Sequence, residues 1–313
     1  MKRSLLGRLG GAALGLFVLT IVTFFMVRLL PGSVEDVMLG TENISPEVRE
    51  AFRAKYGLDE PVVVQYLRWI GNLVQGDLGQ SIRSLNPVTE ELRSKLGPSL
   101  TLSVLGVTIS FFASVGLGLV AALRRDRIAD RLSTLSSIIG SSVPDFVVGL
   151  LLLIFVARRF DALPSFGYEP LSSGLWEWAR HLILPVTAMS LSLVGIMTRL
   201  MRSSVLSTLE EDHVRTAIGK GLPRRRVLTH HVIRPSLIPV VTTAGLLFVA
   251  VIGGVVVIEY VFAIPGLGRL ILESIKARDY PLIQGATLLI GCLAIIASIV
   301  VDLVHRALDP RIR

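Results

Sequence analysis

Six apolar stretches dominate the pattern of hydrophobic and polar positions: Gly10–Leu30, Leu100–Leu123, Leu132–Ala157, Leu182–Met197, Leu237–Ile258 and Leu282–Val301. A bilayer-spanning helix needs about 20 predominantly apolar residues. The pattern therefore predicts an all-α polytopic membrane protein with six transmembrane helices. The fourth stretch is the shortest and is expected to extend towards Arg199. The first follows Lys2, Arg3 and Arg8, as in a secretory signal. Its apolar run, however, exceeds the roughly 7–15 residues of such a signal, and no A-x-A cleavage site follows. It reads as a retained span.

The polar segments between the spans carry helical patterns of their own. About 67 residues follow the first span, more than a plain connector needs. Ser45-Pro46 suits a helix start and Gly57 a helix end. After Pro61, the residues Val62, Tyr66, Trp69, Ile70 and Leu73 share one helical face, with Gly76-Asp77 and Gly79 marking its end. This region, residues 1–97 with the first span, is expected to form a helical outer layer that packs on the spans or lies in the membrane interface; the bland alternative is a solvated loop. Spans two to six form a second domain, residues 98–313.

The stretch from Thr208 to Pro239 is a polar, helix-patterned loop between spans four and five. Thr208-Leu209-Glu210-Glu211 matches a capping box, and Glu210, Glu211 and Asp212 sit where a helix dipole favours negative charge. Val214, Ala217 and Ile218 continue the helix, which Gly219 or Gly221 ends, giving a helix over about Leu209 to Lys220. Pro223 restarts a helix carrying Arg224, Arg225 and Arg226, and Pro235 is expected to break it before span five. A short helix held between two breakers suits a rigid element that pushes on a partner. A solvated basic loop satisfies the same residues, and both readings stand on the local pattern.

Composition and charge turn this pattern into a topology. Hydrophobic residues make up 51% of the 313 and charged residues 18%, and the mean hydropathy is +0.66, outside the range of ordinary soluble domains. With the N-terminus in the cytoplasm, residues 1–9, 124–131, 199–236 and 305–313 hold 18 of the 32 Lys and Arg and only 6 of the 24 acids. The short Arg124–Arg131 loop is the clearest positive-inside signal. Both termini are then cytoplasmic. The net charge of +8 reflects topology, and no nucleic-acid partner is needed to explain it. Cys292 is the single cysteine, so an internal disulfide is excluded; it reads as a packing residue.

Candidate chemistry inside the spans is sparse. Asp145 lies near the middle of span three beside Pro144, which frees a backbone carbonyl; local unwinding and a water-lined cavity fit there. The pair is a candidate for lining a pathway, against a structural hydrogen bond to a neighbouring helix. Glu259, at the outer end of span five, is expected in the vestibule or the headgroup region. Asp302 reads as a partner for a nearby base, and Arg28 as snorkelling to the interface. His230-His231 point about 100° apart on a helix, and no third ligand lies nearby, so no metal site is expected. His181 reads as interfacial. The five histidines lie in loops or at span ends, which excludes an intramembrane protease. An ion-coupled secondary transporter would want several paired ionisable groups at midplane. A passive channel is not excluded by composition.

The order of motifs carries a resemblance. Asp212-His213-Val214-Arg215-Thr216-Ala217-Ile218-Gly219-Lys220-Gly221 resembles the EAA loop of ABC importer permeases, in the form of the dipeptide/oligopeptide/nickel branch. Arg28-Leu29-Leu30-Pro31-Gly32, Tyr56-Gly57-Leu58-Asp59-Glu60-Pro61 with Gln65-Tyr66, and Gly76-Asp77-Leu78-Gly79-Gln80-Ser81 with Pro87-Val88 also match. So do His181-Leu182-Ile183-Leu184-Pro185, Val261-Phe262 through Pro265-Gly266-Leu267-Gly268-Arg269, Arg278-Asp279-Tyr280-Pro281 with Gln284-Gly285, and the ending Leu308-Asp309-Pro310-Arg311-Ile312-Arg313. The chain is similar to the "B"-type permease over nearly its whole length. Gly219 departs from the usual Ala and should loosen the helix end; Ser33 and Ser298 depart from the usual Asp and Asn.

The resemblance implies a non-catalytic half-channel in the bacterial inner membrane that carries di- or oligopeptides or a related small cargo. It implies a homologous second permease, one or two ABC ATPase subunits that hold ATP and magnesium, and an extracytoplasmic substrate-binding protein. No cofactor is expected on this chain, which contains no G-x-x-x-x-G-K-[ST] phosphate loop. The coupling loop, residues 208–236, would be the ATPase contact, with Glu210, Glu211, Asp212, Val214, Arg215, Thr216, Ala217, Gly219, Lys220 and Gly221 as its residues.

Overall fold

A computed structural model describes residues 2–28, 59–160 and 162–308, together with Glu47, Glu50 and Ala54. The expected helix from Ser45-Pro46 to Gly57, the Pro31-Gly32 and Ser33 positions, and the terminal Asp309–Arg313 lie outside the described residues. In chain order the elements are α1 (Lys2–Arg28), α2 (Val62–Val74), α3 (Val88–Leu123), α4 (Ile128–Ser142), α5 (Asp145–Leu152), α6 (Leu175–Leu209), α7 (Asp212–Gly219), α8 (Arg224–Gly254), α9 (Val256–Val261), α10 (Leu267–Ala277) and α11 (Tyr280–Leu308). Among the described residues the only β pairing is an isolated bridge between Gln80 and Pro87.

Four helices are long and apolar enough to cross a membrane: α3, α6, α8 and α11. The expected third span is a bent pair, Ser133–Gly140 and Asp145–Ala157, turned by 98°. Pro144 stands in the break with ψ of 140°, and Val143 before it is extended (ψ 122°), the geometry that a proline imposes on the residue it follows. The apolar part of α1, Gly10–Met26, is shorter.

Helix ends differ from the sequence expectation in an instructive way. The fourth span starts at Leu175 and runs to Leu209. Hydropathy misses its second half because Arg199, Arg202, Ser203 and Ser207 dilute the apolar run. One face, Met197, Met201, Val205 and Thr208, is nonetheless buried at helical spacing.

The contacts divide the chain into two compact units. In the first, Met1–Gly97 with Gly266–Ile295, the predicted apolar face of α2 packs on α1. The Phe24 ring stands 5.2 Å from Tyr66 and 5.6 Å from Trp69, and the Tyr66 and Thr20 hydroxyls are 2.8 Å apart. Arg28 lies 3.7 Å over the Phe24 ring and donates to Gln65, so its charge is held locally. Val88, Leu92, Leu267, Leu270, Leu282 and Ala286 form this unit's core. Asp279, 1% exposed, accepts from Ser81 Oγ (2.5 Å), Arg83 N–H (3.3 Å) and Leu282 N–H (3.4 Å). It caps the start of α11 and pins the 81–83 turn to it.

In the second unit, Pro98–Pro265 with Ile296–Arg313, α6 is the central helix. It packs closely on α3 at Gly118, where an added Cβ would come 2.9 Å from the Thr198 carbonyl, and on α4 at Gly140, where it would come 2.7 Å from the Leu191 carbonyl. In lipid, helix association draws on such close backbone packing, because tails solvate leucine as well as a neighbouring helix does. Thr242 and His305 meet at 2.8 Å, and Arg234 donates to the Ala307 carbonyl at 2.8 Å, tying α8 to the end of α11.

Candidate functional site

The expected short helix after α6 forms, but not as its capping box predicted. Thr208 is the penultimate residue of α6, 4% exposed, and its hydroxyl accepts from Ser236 Oγ at 3.1 Å. The N-cap of α7 is Glu211, in extended backbone and without a side-chain capping bond. The box fails because α6, buried along Met201, Val205 and Thr208, outcompetes a local cap. The helix is thus Asp212–Gly219, shorter than the expected Leu209–Lys220. Lys220 is its C-cap, and Gly221 follows at φ +71°. That left-handed geometry costs glycine nothing.

Two of the predicted residues face inward. Val214 (0% exposed) and Ala217 join the buried cluster that contains Val205, Val227 and Val232. They anchor the helix and leave its other face outside: Glu210, Glu211, Asp212, Arg215, Thr216, Gly219, Lys220 and Gly221 are all exposed. Ile218, 60% exposed, is an apolar knob on that face. It was read only as continuing the helix. Exposed Arg224, Arg225 and Arg226 begin α8. Asp212 and Arg215 lie 3.9 Å apart and exposed, a pairing that contributes little.

Pro235 does not break the helix before span five. The chain runs helically from Arg224 to Gly254, with a π-helical stretch at Val227–Ile233 just before the proline. Widening to a π turn accommodates the missing N–H and the ring's bulk. His213 on α7 reaches this stretch: its Nε2 is 3.0 Å from the His231 carbonyl and its Nδ1 is 2.9 Å from the Glu211 carboxylate.

The expected unwinding at Pro144 is present. Asp145 opens α5, and its carboxylate accepts from the Phe146 N–H at 2.8 Å, so a local helix-start bond accounts for its placement. Pro144 is exposed and Asp145 half-buried. Glu259 is fully buried (0%) and accepts from Ser99. The apolar run around it concealed a polar partner 160 residues earlier in the chain. An apolar groove of about 420 Å³ lies between α3 and α6, lined by Leu105, Ile109, Trp178, Leu182, Val186 and Thr187 among others.

Among the described residues no cluster of His, Cys, Asp and Glu is arranged to hold a metal ion. Asp130, 5% exposed at the start of α4, takes a two-pronged guanidinium contact from Arg202 at 2.5 and 2.8 Å. It also accepts from the Asp126 N–H. The Arg202 bond lowers its carboxyl from 3.8 to about 2, against the opposing effect of burial.

Comparison with known proteins assigns this arrangement. Residues 114–313 match the family described as binding-protein-dependent transport system inner membrane component, and residues 1–90 match that family's N-terminal region. A protein of Brucella abortus (strain 2308), named as a peptide transport system permease, is 36% identical over 313 residues, spanning 100% of this chain and 99% of its own. The oligopeptide transport system permease protein AppB of Bacillus subtilis (strain 168) is 36% identical over 297 residues, 94% of each chain. Among solved structures, a chain of the MetNI methionine ABC transporter in inward-facing conformations superposes with a TM-score of 0.54 at 14% identity, covering 71% of this chain and 97% of that one. An amino acid ABC transporter solved with histidines gives 0.50 at 16%, covering 70% and 94%. These two likenesses establish the fold of the helical core. The chain belongs to the family of binding-protein-dependent transport system inner membrane components, the non-catalytic permease subunits of ABC importers.

Proposed function

We propose that this permease carries di- or oligopeptides and is driven through α7. The observation that carries the reading is the two-faced α7. Val214 and Ala217 lock one side into the buried cluster beneath α6 and α8, while Ile218, Arg215 and Thr216 stand exposed on the other. Such an element moves as one piece with the helices it is anchored to. A groove on a separate ATPase subunit, which holds ATP and magnesium, takes the exposed face, and closure of the ATPase dimer is delivered to α6 and α8. The peptide cargo is supported by the names of the relatives from Brucella abortus and Bacillus subtilis.

In the same reading six spans, α1, α3, the bent α4–α5 pair, α6, α8 and α11, cross the bacterial inner membrane with both termini cytoplasmic, supported by the Lys and Arg distribution. Residues 98–313 form the transport core. A homologous second permease completes the pathway, one or two ATPase subunits supply energy, and a binding protein delivers cargo outside. Pro144 and Asp145, at the break in span three, line that pathway.

The test is Ile218→Arg in the assembled transporter reconstituted in proteoliposomes. A charged side chain on the exposed knob abolishes ATP-driven peptide uptake and leaves the permease inserted and folded. Unchanged uptake in that variant would remove the docking role of α7.

A further inference from the structure

How α7 is fastened to the membrane-entering helix is visible in one side chain. The His231 carbonyl lies four residues before Pro235, the position whose N–H would bond it in an α-helix and which proline lacks. The helix is π-widened there. His213, from α7, brings Nε2 to 3.0 Å of that carbonyl. Its other nitrogen meets the Glu211 carboxylate at 2.9 Å, and the His213 and His231 rings stand 6.3 Å apart, tilted by 44°. A carboxylate and a carbonyl only accept, so the ring N–H is the donor at this junction.

We propose that His213 is a positioning residue for energy coupling: it ties α7 to the base of α8 through the carbonyl that Pro235 cannot bond. The proposal rests on the reading of α7 as the ATPase-coupling element. Val214 and Ala217 anchor α7 in the buried cluster by packing. The His213 link is directional, and it joins α7 to the stretch where the α8 ladder is interrupted. Displacement of α7 is thereby passed to α8 at the point where α8 is most readily re-registered.

The charged and titratable groups on the elements meeting there are Glu210 at the end of α6, Glu211, Asp212, Arg215 and Lys220 around α7, and Arg224, Arg225, Arg226, His230, His231 and Arg234 at the start of α8. Of these, Glu211 contacts the ring at bonding distance, and His230 is engaged with Thr229 at 2.8 Å.

The test measures peptide taken up per ATP hydrolysed in proteoliposomes holding the whole transporter and its binding protein. The probe is a radiolabelled mixture of di- and pentapeptides. His213→Phe keeps the ring's shape without its nitrogens and is expected to lower this ratio roughly two- to threefold, a coupling change of ordinary size, with assembly and ATP hydrolysis retained. His213→Gln, whose side-chain amide can donate to the His231 carbonyl, restores most of the ratio. A His213→Phe ratio equal to the wild type's would overturn the proposal, as would a His213→Gln ratio as low as that of His213→Phe. Ile218→Arg, run alongside, separates the two levels. If it abolishes uptake while His213→Phe matches wild type, this inference alone falls. If it too has no effect, the coupling reading falls and the inference with it.

Discussion

Arg202 and Asp130 show what a charge does at the edge of the membrane core. The guanidinium donates from two nitrogens to both carboxylate oxygens, and the carboxyl, 5% exposed, is held at about 2. The folded value lies below the ordinary 3.8, so the pair's stabilisation is fully present above about pH 4 and disappears as pH falls through about 2. Arg202→Met is expected to destabilise the detergent-solubilised protein by roughly 1.5–3 kcal/mol at neutral pH, the range for a hydrogen bond to a charged group. Thermal unfolding followed against pH checks this: the gap between variant and wild type stays constant down to about pH 5 and narrows below about pH 4. This pair was illegible in the sequence. Asp130 and Arg202 are 72 positions apart, and each reads alone as one more charge in a positive-inside loop. Glu259 and Ser99 are a second case, since a carboxylate among apolar residues says nothing about which distant hydroxyl it will meet.

At the scale of elements, the lesson is that local signals decide helix identity and tertiary burial decides helix ends. Periodicity placed Tyr66 and Trp69 on the packed face of α2, and the Phe24 stack bears that out. The short helix after α6 was likewise legible from Gly219, Gly221 and the Val214–Ala217 spacing. Its start was not, because the Thr208 capping signal was overridden by burial of Thr208 against Ser236. Pro235 was read as a breaker, and the chain answers it with a π stretch. At Pro144, by contrast, the expected unwinding is present: α4 ends at Ser142 and Asp145 starts the next helix. Asp145→Ala is expected to cost about 1 kcal/mol through loss of its bond to the Phe146 N–H, whereas Asp145→Asn keeps the acceptor and stays within about 0.5 kcal/mol of wild type. Unfolding midpoints measure both. If Asp145 lines the pathway, Asp145→Asn changes uptake at unchanged stability; unchanged uptake confines the residue to its role at the helix start.

For the whole molecule, class and family were legible from the start: apolar runs marked the four helices long and apolar enough to cross a membrane, and the order of short motifs gave the permease. The division of labour within α7 needed coordinates, because a sequence motif lists residues without saying which face is buried. Of the ten motif residues expected at the ATPase contact, Val214 and Ala217 hold the helix in place while the exposed remainder, joined by Ile218, is left for a partner. Cysteine cross-linking tests that assignment most directly. In a Cys292→Ser background of the intact transporter, Ile218→Cys is expected to cross-link to the ATPase subunit with a yield that changes on ATP binding. Leu171→Cys, comparably exposed at 58% and placed outside by the proposed topology because it lies between the third and fourth spans, gives no such product. An ATPase adduct at position 171 with none at position 218 would contradict both the docking face and the orientation.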